Sequence, residues 1–410
     1  MSSEAFKAIT LDRILARRNL WEAMKKVQAN KGSPGVDGMK TEELKEYFFE
    51  NPGKLTAMIR QGEYRPLPIK RVYIPKDNGE QRPLGIPTVI DRFVQQAVAL
   101  VLSEEYEKLF KDMSFGFRPN RSTHHAIARA MFLSNIADFH FVVDIDIKGF
   151  FDNVNHGKLL KQLWTLGIQD KNLLSILSKM LKAVIKGIGI PDKGVPQGGI
   201  LSPLLSNVVL NELDWWISSQ WETNPLKTRY MSRPYYKGNG TLKRVFIVRY
   251  ADDFKLFCRK RSDAVRMFEA TKMWLKERLG LEISEEKSHV VNLKKNYSEF
   301  LGFKMKLRPK SGKWVMKSHM TDKAFNKCKE NIRSQIHKIG AEPNQWSVMN
   351  FNAAILGYQN YYNCATDVYI DFDRIAFDVR KTLLCRTKSH RSKSGLRSKS
   401  FQKFYGEFMG

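Results

Sequence analysis

Two acidic clusters carry the residue types that bind hard cations. In the first, Arg249-Tyr-Ala-Asp-Asp-Phe254, the pair Asp252 and Asp253 lies between the apolar runs Val245-Phe-Ile-Val248 and Lys255-Leu-Phe-Cys258. Adjacent carboxylates flanked by buried strand are costly unless a cation neutralises them. A tight turn exposing them to an oxygen-preferring ion such as Mg²⁺ removes that cost. Paired aspartates also occur in ordinary hairpin turns, so a second acidic segment has to support the reading. Val142-Val-Asp-Ile-Asp-Ile-Lys-Gly-Phe-Phe-Asp152 provides one. Nucleotidyl transfer with two metal ions draws carboxylates from separate segments, because one ion activates the attacking 3′ hydroxyl and the other neutralises the leaving pyrophosphate. Asp146 with Asp252 and Asp253 makes such a set. Asp144 shares the face of Asp146 and is the rival ligand, while Asp152 lies past the strand and suits the cap of the next helix.

Cations for a triphosphate are offered by a hairpin over residues 70–82, where Lys76 and Arg82 flank the tip Lys76-Asp-Asn-Gly79. A triphosphate needs donors on several oxygens, although such a hairpin in isolation reads as a solvated basic turn. In Lys193-Gly-Val-Pro-Gln-Gly-Gly-Ile-Leu-Ser-Pro203 the glycines let a base pair or backbone come close, and Gln197 adds an amide. A helix should start there, with Ser202 as its cap and Pro203 in its first turn.

These groups need elements to hold them. Apolar spacing predicts a helix over 11–29, ended by Lys31-Gly-Ser-Pro-Gly35, then a hairpin, then a helix over 91–109. Residues 139–147 alternate as a strand, with Phe141, Val143, Ile145 and Ile147 on one face and Val142, Asp144 and Asp146 on the other. One or two helices over 159–185, a strand–turn–strand over 245–257 and a helix over 263–279 follow. Beyond about residue 307 the pattern turns to long helices over 322–339, 348–362 and 372–384. Few strands among many helices imply an α+β fold.

The chain has 410 residues, 42% of them hydrophobic, with Lys+Arg 69 against Asp+Glu 42 and a formal charge of +27. That length fits two or three domains, and that charge calls for a polyanionic partner. A membrane partner is not expected, since neither a run of about twenty apolar residues nor a signal peptide is present; the chain reads as soluble and intracellular. Cys258, Cys328, Cys364 and Cys385 lack metal-binding spacing and read as reduced thiols. Residues 386–403, rich in Lys, Arg and Ser, read as a basic arm.

Taken in order, the motifs resemble those of reverse transcriptases of the group II intron maturase branch. They are Gly35-Val-Asp-Gly38, Ile74-Pro-Lys76, Arg82-Pro-Leu-Gly-Ile-Pro87, Gly116-Phe-Arg-Pro119, Asp146-Ile-Lys-Gly-Phe-Phe-Asp152, Pro196-Gln-Gly-Gly199, Tyr250-Ala-Asp-Asp253, Glu286-Lys287 and Phe300-Leu-Gly-Phe303. The resemblance implies a right-hand polymerase: an N-terminal extension (1–60), fingers and palm (61–306), a helical thumb or domain X (307–385) and a basic C-terminal arm (386–410). It selects Asp146 over Asp144 as ligand, with Asp252 and Asp253, for two Mg²⁺ ions that Mn²⁺ can replace. It implies nucleotide contacts at Lys76, Arg82, Phe151 beneath the sugar, Gln197 and Lys287, and nucleic-acid contacts at Arg118, at Gly302 in the primer grip, and at Tyr358, Tyr361 and Tyr362 in the thumb. For those tyrosines, packing inside the thumb is the competing reading. The implied partners are an RNA template, a DNA primer, dNTPs, structured intron RNA and, through the arm, target DNA. No paired cysteines or histidines of an H-N-H endonuclease follow residue 384. The alternatives are a splicing maturase without polymerase activity, or a retron, defence or domesticated repair reverse transcriptase.

Overall fold

The computed structural model describes residues 5–75, 79–135, 138–225 and 244–388. Lys76 with the tip of its hairpin, and the basic arm from residue 389 onward, lie outside the described residues. Helices combine with small sheets, and the fold is α+β. The chain divides into two compact units, one of Met1–Ser122, Val143–Leu256 and Val265–His289, the other of Thr123–Val142, Phe257–Ala264 and Val290–Gly410.

In the first unit, β1 (Lys70–Pro75) and β2 (Gln81–Ile86) form the expected antiparallel hairpin, with Ile74 opposite Arg82. The helix Val89–Tyr106 follows and is buried along most of its length, because Val94, Ala97, Val98, Val101 and Leu102 leave few polar positions. Thr88 caps it by accepting from the Asp91 N–H. Buried Asp91 also accepts from Tyr64 Oη at 2.6 Å and from the Leu67 N–H at 3.1 Å, which ties the hairpin's base to the helix.

The helix expected over 11–29 is two, Leu11–Ile14 and Arg17–Ala29, because Ala16 between them has extended backbone at φ −59° and ψ 135°. The stretch 159–185 also resolves into two helices, His156–Thr165 and Lys171–Leu181. The first is capped by Asn155, which accepts from the Lys158 N–H, and not by Asp152, which sits inside the short turn Phe150–Asn153. A four-stranded sheet uses β3 (Phe141–Ile145), β4 (Val245–Tyr250), β5 (Asp253–Cys258) and β6 (His289–Asn292) in the order β4-β5-β3-β6. The helix Ser202–Gln220 packs against β4.

In the second unit, β7 (Ser298–Phe300), β8 (Phe303–Lys310) and β9 (Lys313–Met320) form an antiparallel sheet. Strand therefore extends to Met320, where the sequence pattern predicts helical character from about 307. Its period-two signal is modest: Met305 and Leu307 are buried, while Lys304 and Lys306 alternate with them. Three helices follow, Asp322–Ala341, Gln345–Tyr362 and Val368–Arg386.

The amino-terminal segment is tied to the helix Val89–Tyr106 through one buried carboxylate. Glu105 accepts from the Lys7 N–H at 2.9 Å, Arg13 Nη2 at 2.6 Å and Lys108 Nζ at 2.8 Å. Burial alone would push its carboxyl up, but Lys108, the Lys7 N–H and Arg13 together hold it down at about 2. A lowered carboxyl stabilises the fold above its ordinary value of 4.5 and loses that contribution as the pH falls towards 2. Urea titrations across this acid range should therefore show a steeper loss of unfolding free energy in the wild type than in Glu105→Gln.

Candidate active site

The acidic turn between β4 and β5 is held from behind. Ala251 sits at φ +59°, a left-handed conformation that costs a non-glycine residue about 1–2 kcal/mol. Arg249, wholly buried on β4, offsets that strain. Its Nε and Nη2 fork onto Asp214 at 2.8 and 2.6 Å, and its Nη1 donates to Asn207 Oδ1 at 2.9 Å and to the Ala251 carbonyl at 2.8 Å. Asp214 and Asn207 belong to the helix Ser202–Gln220. On the other side the Arg249 N–H donates to the Met113 carbonyl and its carbonyl accepts from the Phe115 N–H. The next residue, Gly116, comes so near that a Cβ there would lie 2.3 Å from the Ala251 nitrogen. Asn207 Nδ2 donates to the Gly116 carbonyl at 2.8 Å, which closes the network.

The motif Gly116-Phe-Arg-Pro119 is thus a support for the turn. The reading of Arg118 as a nucleic-acid contact is corrected: its side chain is 2% exposed and forks onto Glu107 at 2.9 and 2.6 Å. Its Nη1 donates to the carbonyls of Lys111 and Ser114. Sequence reasoning missed Arg249, Asp214, Asn207 and Gly116 as a group. The available signal was an arginine inside an apolar strand, since a buried cation requires a buried anion.

The two rival aspartates of β3 and its extension differ in charge balance. Asp144 is buried and pairs with buried Lys255 at 2.6 Å, with His289 Nε2 3.9 Å away. Asp146 has a side chain 46% exposed, and among the described residues it pairs with the exposed Lys287 at 3.5 Å. Its N–H donates to Ser288 Oγ at 3.1 Å and its carbonyl accepts from the Ser284 N–H at 2.8 Å, so the segment 284–288 brings Lys287 alongside.

Asp252 and Asp253 feel the same field. Burial pushes the Asp252 carboxyl up, its own N–H pulls it down, Asp146 raises it, and Arg82 and Arg249 lower it. Asp253 is pushed up to about 6, first by burial; Lys255 opposes this, and Asp144, Asp252 and Asp146 add to it. Carboxylates raised by burial and by a neighbouring carboxylate suit a hard divalent cation as donors. Among the described residues, no three His, Cys, Asp or Glu side chains are already drawn around one point. The three aspartates therefore fit an ion by donor chemistry and charge, not as a closed cage.

Arg82, Phe151 and Gln197, expected from the sequence to contact a nucleotide, are linked around one loop. Phe150 is buried and Phe151 half-buried at the start of the turn Phe150–Asn153. They are placed by a helical turn after Gly149 and not by strand alternation, since β3 ends at Ile145. The Val195 N–H donates to the Phe151 carbonyl and the Gly194 N–H to the Val154 carbonyl, both at 2.7 Å. On its far side the loop meets β2: the Gly85 N–H donates to the Gln197 carbonyl at 2.7 Å, and a Cβ on Gly198 would lie 2.8 Å from the Gly85 oxygen. The loop so joins the strand bearing Arg82 to the turn bearing Phe151. Ser202 does not cap the helix it begins; its Oγ donates to the Pro196 carbonyl at 2.5 Å, and no side chain caps that end.

The second unit holds Gly302 and the tyrosines. Gly302 has φ +81° between β7 and β8, and a Cβ there would lie 2.9 Å from Tyr362 Oη. Tyr361 Oη donates to the Leu301 carbonyl at 3.0 Å, and the Phe303 ring lies 5.8 and 5.0 Å from those of Tyr361 and Tyr362. Burial pushes the Tyr362 hydroxyl up to about 12, and burial raises that of Tyr358 too. Tyr362 is therefore a core residue and its reading as an RNA contact is corrected. Tyr361 spends its hydroxyl on the turn while part of its ring stays exposed. From the helix Thr123–Asn135, His124 Nε2 reaches the Tyr361 carbonyl at 2.7 Å.

Residues 74–305 match the family described as reverse transcriptase (RNA-dependent DNA polymerase). The chain is also 31% identical to the group II intron-encoded protein LtrA of Lactococcus lactis subsp. cremoris, over 73% of this chain and 57% of that protein. The chain belongs to the reverse transcriptase family, in its group II intron branch. The chain is similar as well to Protein YkfC of Escherichia coli strain K12, at 34% identity over 70% of this chain and 80% of that protein. To the putative COX1/OXI3 intron 2 protein of Saccharomyces cerevisiae it is 26% identical, over 85% of this chain and 48% of that protein. It thus spans about half the length of these two intron proteins. No described helix of the chain is long and apolar enough to cross a membrane.

Removing one partner of a buried ion pair strands the other charge. Asp214→Ala should destabilise the protein by about 3–5 kcal/mol in urea unfolding, whereas Asp112→Ala, whose carboxylate meets Arg121 at the surface, should change it by less than about 1 kcal/mol.

Proposed function

We propose that the chain is an RNA-directed DNA polymerase, which extends a DNA primer on an RNA template with dNTPs and binds group II intron RNA. One observation carries the reading. Asp144 already has its cation in buried Lys255, whereas Asp146 meets only the exposed Lys287, and its charge adds to the burial that raises the Asp252 and Asp253 carboxyls. Those three would hold two Mg²⁺ ions, with Mn²⁺ able to substitute. Bound there, the ions would supply activation of the primer 3′ hydroxyl and neutralisation of the leaving pyrophosphate.

The protein's own groups do the positioning. Arg82, whose charge is felt at Asp252, and Lys76 would take the triphosphate oxygens. The loop around Gln197 would meet the nascent base pair with glycines, and Lys287 would offset charge beside Asp146. Phe151 would lie beneath the sugar. The surplus of +27 supports a polyanionic partner, and likeness to intron-encoded proteins supports a role in intron splicing and mobility. Target DNA would be met through the basic residues 386–410.

Primer extension tests this reading. Asp252→Asn and Asp146→Asn should each abolish cDNA synthesis while RNA affinity stays near that of the wild type. Wild-type extension by either variant would overturn the assignment. RNA affinity should also fall with salt by roughly 0.7 to 0.9 units of log K per phosphate neutralised for each unit of log salt.

Phe151 gives a sharper test. A rigid ring under the deoxyribose would collide with a 2′ hydroxyl, so selection would come from exclusion in a close-packed site. Phe151→Val should raise ribonucleotide relative to deoxyribonucleotide incorporation in matched single-nucleotide assays. Phe150→Ala should cost about 3–5 kcal/mol of stability and leave that ratio unchanged.

A further inference from the structure

The first helices of the chain carry a groove that the polymerase reading leaves unused. Arg17, Leu20, Trp21 and Met24 fall at i, i+3, i+4 and i+7 of the helix Arg17–Ala29, and Lys45, Phe48 and Phe49 at i, i+3 and i+4 of the helix Leu44–Glu50. Such spacing puts each set on one face of its helix. The two faces line a common groove of about 1110 Å³. At its base Phe93, buried on the helix Val89–Tyr106, holds its ring 4.7 Å from that of Phe48. At its rim Trp21 is 49% and Phe49 76% exposed. Exposed aromatic rings over an apolar base mark a surface that something covers.

Charge and size define the occupant. Arg17, Arg18 and Lys45 line the groove and are exposed, whereas no described aspartate or glutamate lines it. Among the described residues, none of the three cations forms an ion pair with a carboxylate. Cations left without acids favour a partner that brings carboxylates. The volume exceeds the usual range for small-molecule sites, and two helix faces side by side receive a row of side chains better than one compact molecule. An amphipathic helix supplies such a row, with apolar anchors at i, i+3, i+4 and i+7. Nucleic acid fits less well. Its bases can stack on Trp21 and Phe49, but Leu15, Met24, Leu55 and Phe93 within the groove offer the polar edges of a base no partner.

We propose that the groove between the helices Arg17–Ala29 and Leu44–Glu50 is a docking site for an acidic amphipathic helix of a partner protein. Its bulky apolar residues enter beside Trp21 and Phe49, and its carboxylates meet Arg17, Arg18 and Lys45. This inference does not rest on the polymerase reading, since none of these residues belongs to the acidic turn or to the loop around Gln197.

Fluorescence anisotropy with the full chain tests it. The probe is a labelled synthetic helix of about eighteen residues, or five turns, with Leu and Phe at the apolar positions and Asp and Glu elsewhere. A twin carries Lys in place of the acids, and a scrambled acidic peptide lacks the apolar ridge. The acidic helix should bind the wild type saturably, and the twin and the scrambled peptide about tenfold or more weakly. Trp21→Ser/Phe49→Ser should bind the acidic helix about tenfold or more weakly than the wild type does, and because both positions are exposed its thermal unfolding should be unchanged. Arg17→Glu/Arg18→Glu/Lys45→Glu should reverse the preference towards the basic twin. Equal affinity of the acidic helix for wild type and Trp21→Ser/Phe49→Ser would overturn the proposal, as would an absence of saturable binding to the wild type. A variant that loses affinity for an RNA oligonucleotide instead would overturn it in favour of nucleic acid. A wild-type dimer in light scattering that dissociates in the variant would do so in favour of a second copy.

Discussion

The buried pair Arg249–Asp214 is the interaction on which the rest of the site depends. A guanidinium with no exposure is tolerable only if its nitrogens find acceptors, and here Nε and Nη2 take Asp214, while Nη1 takes both Asn207 and the Ala251 carbonyl. That last bond fixes a strained residue immediately before Asp252. The same helix that supplies Asp214 and Asn207 begins at Ser202, whose hydroxyl anchors the loop carrying Gln197. One helix therefore registers the acidic turn against the loop, and the loop in turn against β2 and the turn of Phe151.

Charge balance then separates residues that look alike. Asp144 and Asp146 are two residues apart on one face, but Lys255 rises from the neighbouring strand to neutralise only the first. At the acidic turn, burial first and then the charge of Asp146 raise the Asp252 and Asp253 carboxyls, and Arg82, Arg249 and Lys255 offset this only in part. A divalent ion held by these carboxylates would offset that cost.

Much of this is legible in the sequence where local pattern and chemistry agree. The hairpin β1–β2, the helix beginning near Val89, the strand carrying Asp144 and Asp146 and the turn at Asp252 follow from periodicity and turn residues. The break at Ala16 leaves no such mark, because alanine favours helix and only packing forces it to extend. The hairpin β8–β9 is hidden by lysines that alternate with its apolar residues and blur the boundary with the helices beyond. Arg118 and Tyr362 mislead for a common reason: residue type suggests nucleic acid, and only three-dimensional context shows their polar atoms turned inward. The partners of Arg249 cannot be read at all, since Asp214 is thirty-five residues away and nothing in either local pattern names the other.

The most direct measurement is the single-turnover rate of cDNA synthesis by Arg249→Lys at saturating dNTP, alongside its affinity for primer-template and its thermal unfolding. Lysine keeps the charge but loses the fork, so it cannot hold Asp214 and the Ala251 carbonyl together. The expected result is a folded protein with near wild-type primer-template affinity and a rate lowered by about a hundredfold, the scale of a misplaced catalytic group. A folded variant that polymerises at the wild-type rate would contradict the view that this buried pair positions the aspartates.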